Sequence, residues 1–500
     1  MELLLFTSLL CLTIFLGYLY LKRQFSPSFD DPPGMKPQIL VGNLINSGLL
    51  SGKRTFPEIL IDYQRRYGDK FMFWFGPHRC IVFCRPEHAQ IIFTDRHNFE
   101  QSPLIMPNFD LLCPYGISLL TGAKWKRHIR VMLPMFKRAK MITHLDTILQ
   151  CTDRFIDRNL HDGQIHRHLV SCCQSLTMNL IGFIGFDYDF DVQTDSPLKI
   201  AFEDFVFYAV HIMMMPWLPR WLAKIYLKFN LKYQRAHRFI RQVTEKIVEE
   251  EQNQQYETEN RRPKNLIASL VSSVNEDAND QKISSGLTRA EMLDEVLLSI
   301  MAGYGTTSAG LSWFIFFLSK NPHVQQRMKE ELRQHNLMMT DDVECASPLT
   351  EEKLSSLIYC ECVTKEVFRL APTISVTTRL VTCDTNIDNV PIHSGQIILI
   401  GLLNMKTDER YWNKNPKEFI PERFLIEDKN YHTYAMVPFG GGHRACLGQD
   451  LAWIVLKLVI IRCMQHGIIF EDTPENTGGY EEKLACRPKN LAVRIRFDRH

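Results

Sequence analysis

Several things are scarce in this chain of 500 residues. Charge of one sign is the first: 58 Lys+Arg stand against 56 Asp+Glu, a net +2, too balanced for a nucleic-acid binder that works by bulk charge. The 14 cysteines include no Cys-x-x-Cys pair and follow no regular spacing, which points away from a zinc ribbon or a disulfide framework. Reduced, mostly buried thiols in a cytosol-facing protein fit that pattern. No internal repeat is visible, and no linker rich in Gly, Ser or Pro divides the body. No Gly-x-Gly-x-x-Gly unit is present, so the chain has no dinucleotide site of its own. With 45% apolar and 23% charged residues, disordered, collagen-like and many-span membrane classes are also excluded.

One long uncharged run opens the chain. Leu3 to Leu21 carry no charge, and 19 residues at the helical rise reach roughly 28 Å, close to the hydrocarbon thickness of a bilayer. Lys22 and Arg23 follow directly, and the positive-inside bias then keeps the rest of the chain in the cytosol. A cleaved signal would place its positive charge before the run. The organisation expected is a membrane anchor over 1–21, a basic and proline-rich hinge over 22–50, and one large domain over 51–500. Asp31-Pro32-Pro33-Gly34 stiffens and turns the hinge. Met213 to Pro219, with Pro216, Trp217 and Pro219, reads either as a loop that dips into lipid or as one buried against the core.

The body reads as mainly helical. Thr288-Arg289-Ala290-Glu291 is a capping box, and no proline interrupts the chain until Asn321-Pro322. The uncharged stretch Val296 to Ser319 within it fits a buried helix, although Gly303, Gly305 and Gly310 each cost about 1 kcal/mol against Ala there. A buried helix with such residues lets something approach its backbone. Strand-like runs lie at Lys70–Phe75, Ile81–Phe83 and between Ser375 and Ile400. The polar stretch 249–285 reads as a helix end and an exposed loop.

Near the C-terminus stands Phe439-Gly440-Gly441-Gly442-His443-Arg444-Ala445-Cys446-Leu447-Gly448. Its glycines let the backbone fold tightly around a flat ligand. A helix over Gln449–Gln465 would put Cys446 near a helix N-terminus, where a thiolate is stabilised and can ligate iron. Upstream, Glu366 and Arg369 share a helical face at i,i+3, and Pro421-Glu422-Arg423-Phe424 adds another arginine.

Over essentially its whole length the chain resembles the cytochrome P-450 superfamily, of the eukaryotic microsomal type. The family's F-x-x-G-x-R-x-C-x-G signature is matched at Phe439, Gly442, Arg444, Cys446 and Gly448, after an E-x-x-R pair and a PERF-type segment in the family's order. The resemblance implies a single large helical domain with small β-sheets, preceded here by one transmembrane helix. It implies haem b, held non-covalently apart from a thiolate–iron bond to Cys446. Phe439 would pack beside the sulfur, Gly442 and Gly448 would shape the loop, and Arg444 and Arg379 would bind the haem carboxylates. Glu366, Arg369 and Arg423 would form a structural ion network. Ala302 and Gly303 would lie over the opposite face of the haem, with Thr306 the catalytic hydroxyl that holds dioxygen and passes protons.

Two positions depart from the family pattern. The residue before Thr306 is usually an acid and is Gly305, which removes a link in proton delivery. In Trp125-Lys126-Arg127-His128-Ile129-Arg130 the family's second cation falls on Ile129. Trp125 can still donate to a haem carboxylate, and the cationic role passes to Arg130 or His128, although one residue turns a helical side chain by about 100°.

Lys124, Lys126, Arg127, Arg130, Lys137, Arg138 and Lys140 form a run without acids, the region where the family docks an NADPH-dependent flavoprotein reductase; cytochrome b5 is a further candidate donor. The function implied is a monooxygenase of the endoplasmic reticulum membrane. It would insert one atom of O2 into an apolar lipid-, steroid- or xenobiotic-like substrate, with no nucleic-acid partner. Substrate contacts would come from the 100–120 loop with Phe109 and Leu111, the Phe202–Trp217 region, Ala302 and Ile374–Val376. The rival readings are a haem-thiolate isomerase or dehydratase acting on a lipid peroxide, without O2 or reductase, and a haem carrier or sensor.

Overall fold

The computed structural model describes residues 13, 15–26, 31–102, 108–213, 215–216, 218–257, 264–279, 286–339 and 348–498. Most of the expected anchor falls outside them. Of its described part, Phe15, Leu16, Tyr18, Leu19 and Tyr20 are exposed. Among the described residues one helix, Leu169–Phe186, is long and apolar enough to cross a membrane, and most of it is buried in the core. Met214 and Trp217 of the possible lipid-dipping loop also lie outside the described residues.

The fold is mainly helical with small sheets. Its axis is the helix Arg289–Lys320, 32 residues long, which starts and stops where the sequence signals placed it. Thr288 accepts from the Glu291 N–H while the Glu291 carboxylate accepts from the Thr288 N–H. This helix belongs to two cores. Its first half, Met292 to Tyr304, packs with the helices Pro197–Met213, Leu231–Glu257 and Leu266–Asn279. Its second half, Leu311 to Leu318, packs with Leu145–Asn159, Leu169–Phe186, Ile358–Leu370 and Gln449–Gln465. Gly310 permits the contact with the last of these, because a Cβ there would meet Leu456 Cδ2 at 3.1 Å.

The main sheet has five strands in the order Lys70–Phe75, His78–Phe83, Ile397–Gly401, Val376–Val381, Phe99–Gln101. Only the His78–Phe83 and Ile397–Gly401 pair is parallel; the rest are antiparallel. On its last pair Gln101 faces Arg379 and Glu100 faces Leu380, which brings two distant parts of the site together.

Two stretches differ from the sequence expectation. The proposed hinge is tied to the body from Gly34, which bridges Met72, and Asn43 bonds the Met35 and Lys36 carbonyls and the Trp74 N–H. The polar stretch 249–285 contains a second helix, Leu266–Asn279. Leu266, Ile267, Leu270 and Val271 are buried in the core, so their apolar face outweighs the charged flanks.

Candidate active site

The loop before the last long helix is built by glycine. Gly440 and Gly442 have φ of 72° and 70°, in the left-handed region, and a Cβ on Gly442 would lie 2.0 Å from the Phe93 carbonyl oxygen. A turn of 3-10 helix, Gly442–Arg444, carries the chain to Cys446, whose N–H donates to the Phe439 carbonyl at 2.9 Å. Phe439 packs against Phe368, ring centroids 5.1 Å apart, and Trp453 at 6.5 Å. Gly448 caps the helix Gln449–Gln465.

The Cys446 thiol is held among protein atoms, and burial pushes its pKa up while the Gly448 N–H pulls it down. As a residue Cys446 is nevertheless exposed. Among the described residues no group of three or more His, Cys, Asp or Glu could hold a metal ion. A lone thiolate with a donor N–H beside it suits a metal whose other ligands arrive with it, as in a macrocycle.

The long helix opens in one place. Ala302 is exposed and Gly303, Gly305, Thr306 and Thr307 are half-buried, between the mostly buried stretches Met292–Met301 and Ser308–Ile315. Thr306 Oγ1 donates back to the Ala302 carbonyl at 2.8 Å. Gly303 faces Ile181, whose Cδ1 would lie 2.4 Å from an added Cβ. Gly305 faces Leu484, in the hairpin formed by the antiparallel strands Gly478–Glu482 and Cys486–Asn490, and the Leu484 Cδ2 would lie 3.2 Å from an added Cβ. The acid missing at 305 is thus replaced by an apolar contact. Tyr304 turns the other way, buried, with its phenol oxygen unpaired.

The cations lie where the sheet edge meets the loop. Arg379 is 2% exposed and donates to the Thr378 and Gly441 carbonyls at 2.8 and 3.3 Å. No carboxylate pairs with it among the described residues. Burial, and then the Arg444 charge, push its pKa down to about 10. A buried guanidinium without an anion fits a ligand that brings its own carboxylates. Arg444 lies over the Trp125 ring at 4.3 Å and is paired with Glu100.

On the helix Gly122–Met132, Arg130 is exposed, with no ion-pair partner among the described residues. His128 turns inward, fully buried, with Nδ1 2.6 Å from Glu295. Arg127 pairs with Glu291, which takes it out of the basic run. Lys124, Lys126, Lys137 and Arg138 stay exposed and Lys140 is half-buried.

Glu366, Arg369 and Arg423 meet in the interior. Glu366 takes Arg369 at 2.7 and 2.8 Å and Arg423 at 3.0 Å, all three fully buried. A fourth member without any local signal in the chain is Asp428, which pairs with Arg423 at 2.9 Å. Glu100 and Leu484 were also missed. Both act across more than 170 residues of chain, where no local pattern reports them.

Of the expected substrate contacts, Ala302 and Ile374 are exposed, whereas Phe109 and Phe202 are closed within the core. A separate groove of about 720 Å³ is lined by Arg154, Arg158, Asn179, Asp189 and Asp191 among others. It contains none of these site residues, and its charges pair internally, Arg158 with Asp191 at 3.0 Å.

A family model for cytochrome P-450 matches residues 32–489. The chain is 26% identical over 463 residues to cytochrome P-450 4V2 of Homo sapiens, covering 87% of this chain and 84% of that protein. It is 25% identical over 461 residues to cytochrome P-450 4X1 of Homo sapiens, covering 87% and 85%. Against cytochrome P-450 3A25 of Mus musculus it is 25% identical over 457 residues, covering 87% and 84%.

Proposed function

The chain belongs to the cytochrome P-450 family and is a haem-dependent monooxygenase, and from that premise we propose that it oxidises an apolar substrate at a membrane. One atom of O2 enters the substrate, and electrons come from NADPH through a separate flavoprotein reductase. The haem, when bound, supplies the activation of dioxygen. The chain's own residues hold and shape the site around it.

Cys446 would ligate the haem iron in this reading, and the Gly448 N–H and the start of the helix Gln449–Gln465 favour its thiolate against the burial that opposes it. Arg379, Arg444 and Trp125 hold the haem carboxylates, and Phe439 packs behind the loop. Thr306 holds a proton at Oγ1, beside the exposed Ala302, and can turn it away from the Ala302 carbonyl. Ala302 and Gly303 add no bulk there, and Leu484 lies against Gly305, where the family's acid is missing.

Electron delivery is assigned to the face carrying Lys124, Lys126, Arg130, Lys137 and Arg138. Attachment to the endoplasmic reticulum is assigned to Leu3–Leu21. The exposed Trp221, Ile225 and Phe229, one turn apart on the helix Arg220–Phe229, support a body that rests on lipid.

The observation that carries this reading is the accessible Cys446 in its glycine-built loop, beside Arg379, a buried guanidinium with no carboxylate partner among the described residues. The test is the carbon monoxide difference spectrum of the dithionite-reduced protein in membranes. The parent is expected to give the strongly red-shifted Soret band of a thiolate-ligated haem, and Cys446→Ala to lose it completely. Retention of that band in the variant would refute the ligand assignment.

A further inference from the structure

Glu100 sits on the edge strand Phe99–Gln101, 344 residues from Arg444 in the chain. A single oxygen, Oε1, accepts from the Gln101 N–H at 2.8 Å, from Arg444 Nε at 2.9 Å and from Arg444 Nη2 at 2.6 Å. His443 Nε2 lies 3.5 Å from the same oxygen. Arg444 Nη2 also donates to the Leu120 carbonyl at 2.8 Å, and the Trp125 ring covers the guanidinium face at 4.3 Å. Among the described residues this leaves Nη1 as the one Arg444 nitrogen without a hydrogen-bond partner.

The charge is arranged as unusually as the geometry. Two guanidiniums, Arg379 and Arg444, and the His443 imidazole gather around one acid, Glu100, which touches Arg444 and His443 and acts on Arg379 through charge alone. Arg379 is left without a carboxylate in contact, whereas Arg444 is already engaged. An arginine whose plane and face are fixed in advance loses less freedom when it binds a further anion.

We infer that Glu100 is a positioning residue for the haem site: it fixes Arg444 so that Nη1 alone is offered to a haem carboxylate, and its charge offsets one of the two guanidiniums there. The inference rests on the reading of Arg444 as a haem-carboxylate partner. It separates into two parts that substitutions can divide. Glu100→Gln keeps an oxygen acceptor for Arg444 and removes the charge. Glu100→Ala removes both.

Two readouts other than turnover test it on the full-length protein in nanodiscs. One is the rate of haem transfer to excess apomyoglobin, and the other is the midpoint potential. Glu100→Ala is expected to release haem severalfold faster than the parent, and Glu100→Gln at close to the parental rate. Both should have more positive potentials, because adding an electron is easier once a nearby negative charge is gone. Parental release and potential in Glu100→Ala would overturn the inference. If Glu100→Ala does not fold, an unchanged potential in Glu100→Gln overturns it instead.

Arg444→Leu separates this from the underlying assignment. Fast release in Arg444→Leu with parental release in Glu100→Ala defeats the role of Glu100 alone. Parental release in Arg444→Leu defeats the assignment of Arg444 itself.

Discussion

The molecule contains two arginine clusters that differ in one respect. In the interior, Arg369 and Arg423 face Glu366 and Asp428, two charges against two, with every member buried. Their remaining donors end on carbonyls: Arg369 on Lys406, Pro416 and Glu418, Arg423 on Lys414 and Asn415. Trp412 lies beneath both guanidiniums at 5.0 and 5.8 Å. Beside the Cys446 loop, Arg444 pairs with Glu100, and Arg379 has no carboxylate in contact among the described residues. A cluster that satisfies itself can hold a fold and do nothing else. A cluster left with surplus positive charge is prepared for an anion that arrives later.

The strongest way to break this contrast is Glu366→Gln. It removes the charge shared by both interior arginines and weakens the acceptor of the Ile420 N–H. Breaking a buried pair in this way costs about 3–5 kcal/mol. The expected outcome is a large fall in the urea midpoint, or loss of soluble protein, before any effect on the site can be read. Arg379→Met should act in the opposite sense. It removes a buried cation that no carboxylate balances, so the haem-free chain should unfold at the same temperature or a higher one. Haem transfer to apomyoglobin should nevertheless become faster. A destabilisation as large as that of Glu366→Gln would mean that the two clusters are of one kind.

A third substitution tests the surroundings of the closed cluster. Lys406 is buried, donates to the Phe368 and Ala371 carbonyls at 3.1 and 3.0 Å, and its own carbonyl accepts from Arg369. Burial, and secondarily the Arg369 charge, pull its pKa down to about 7, against about 10.4 for an unperturbed lysine. Between roughly pH 7 and 10 the unfolded chain therefore binds a proton that the folded chain does not. Stability contributed by this residue rises with pH across that window and is lost as pH falls toward 7. Urea midpoints of the parent and Lys406→Met over this range should diverge in favour of the parent as pH increases. Parallel curves would show that Lys406 titrates normally in the fold.

Legibility in the sequence followed the range over which each signal acts. The long helix could be read from a capping box at Thr288 and the Asn321-Pro322 stop, both local, and its observed limits are Arg289 and Lys320. The helix Gln449–Gln465 could be read from its apolar run after Gly448. The loop around Cys446 was legible because its glycines and arginine stand at fixed spacing. The helix Leu266–Asn279 was hidden because its apolar residues are few and flanked by charge, and burial against a distant core decides it. His128 was a candidate cation for the site, yet it is bonded to Glu295, on a helix 167 residues away. Asp428, Glu100 and Leu484 are partners made by the fold, and no spacing in the chain announces them.

The smallest expected effect concerns the position where the chain departs most plainly from its family. Gly305→Ala adds a methyl that meets Leu484 Cδ2 at 3.2 Å, the far end of a side chain that can yield by a few tenths of an ångström. Against that small cost stands the helix propensity of Ala over Gly, about 1 kcal/mol, so stability should be unchanged or slightly raised. Two residues earlier the balance reverses. A Cβ on Gly303 would lie 2.4 Å from Ile181 Cδ1 and 3.0 Å from Cγ1, so the Ile181 side chain would have to leave its place on the helix Leu169–Phe186. Overpacking of this kind costs about 1–3 kcal/mol. Thermal unfolding of the two variants should therefore separate, with Gly305→Ala at or above the parent and Gly303→Ala below it. Equal destabilisation would mean that Leu484 is as rigidly seated as Ile181, and that the hairpin is a fixed wall of the site.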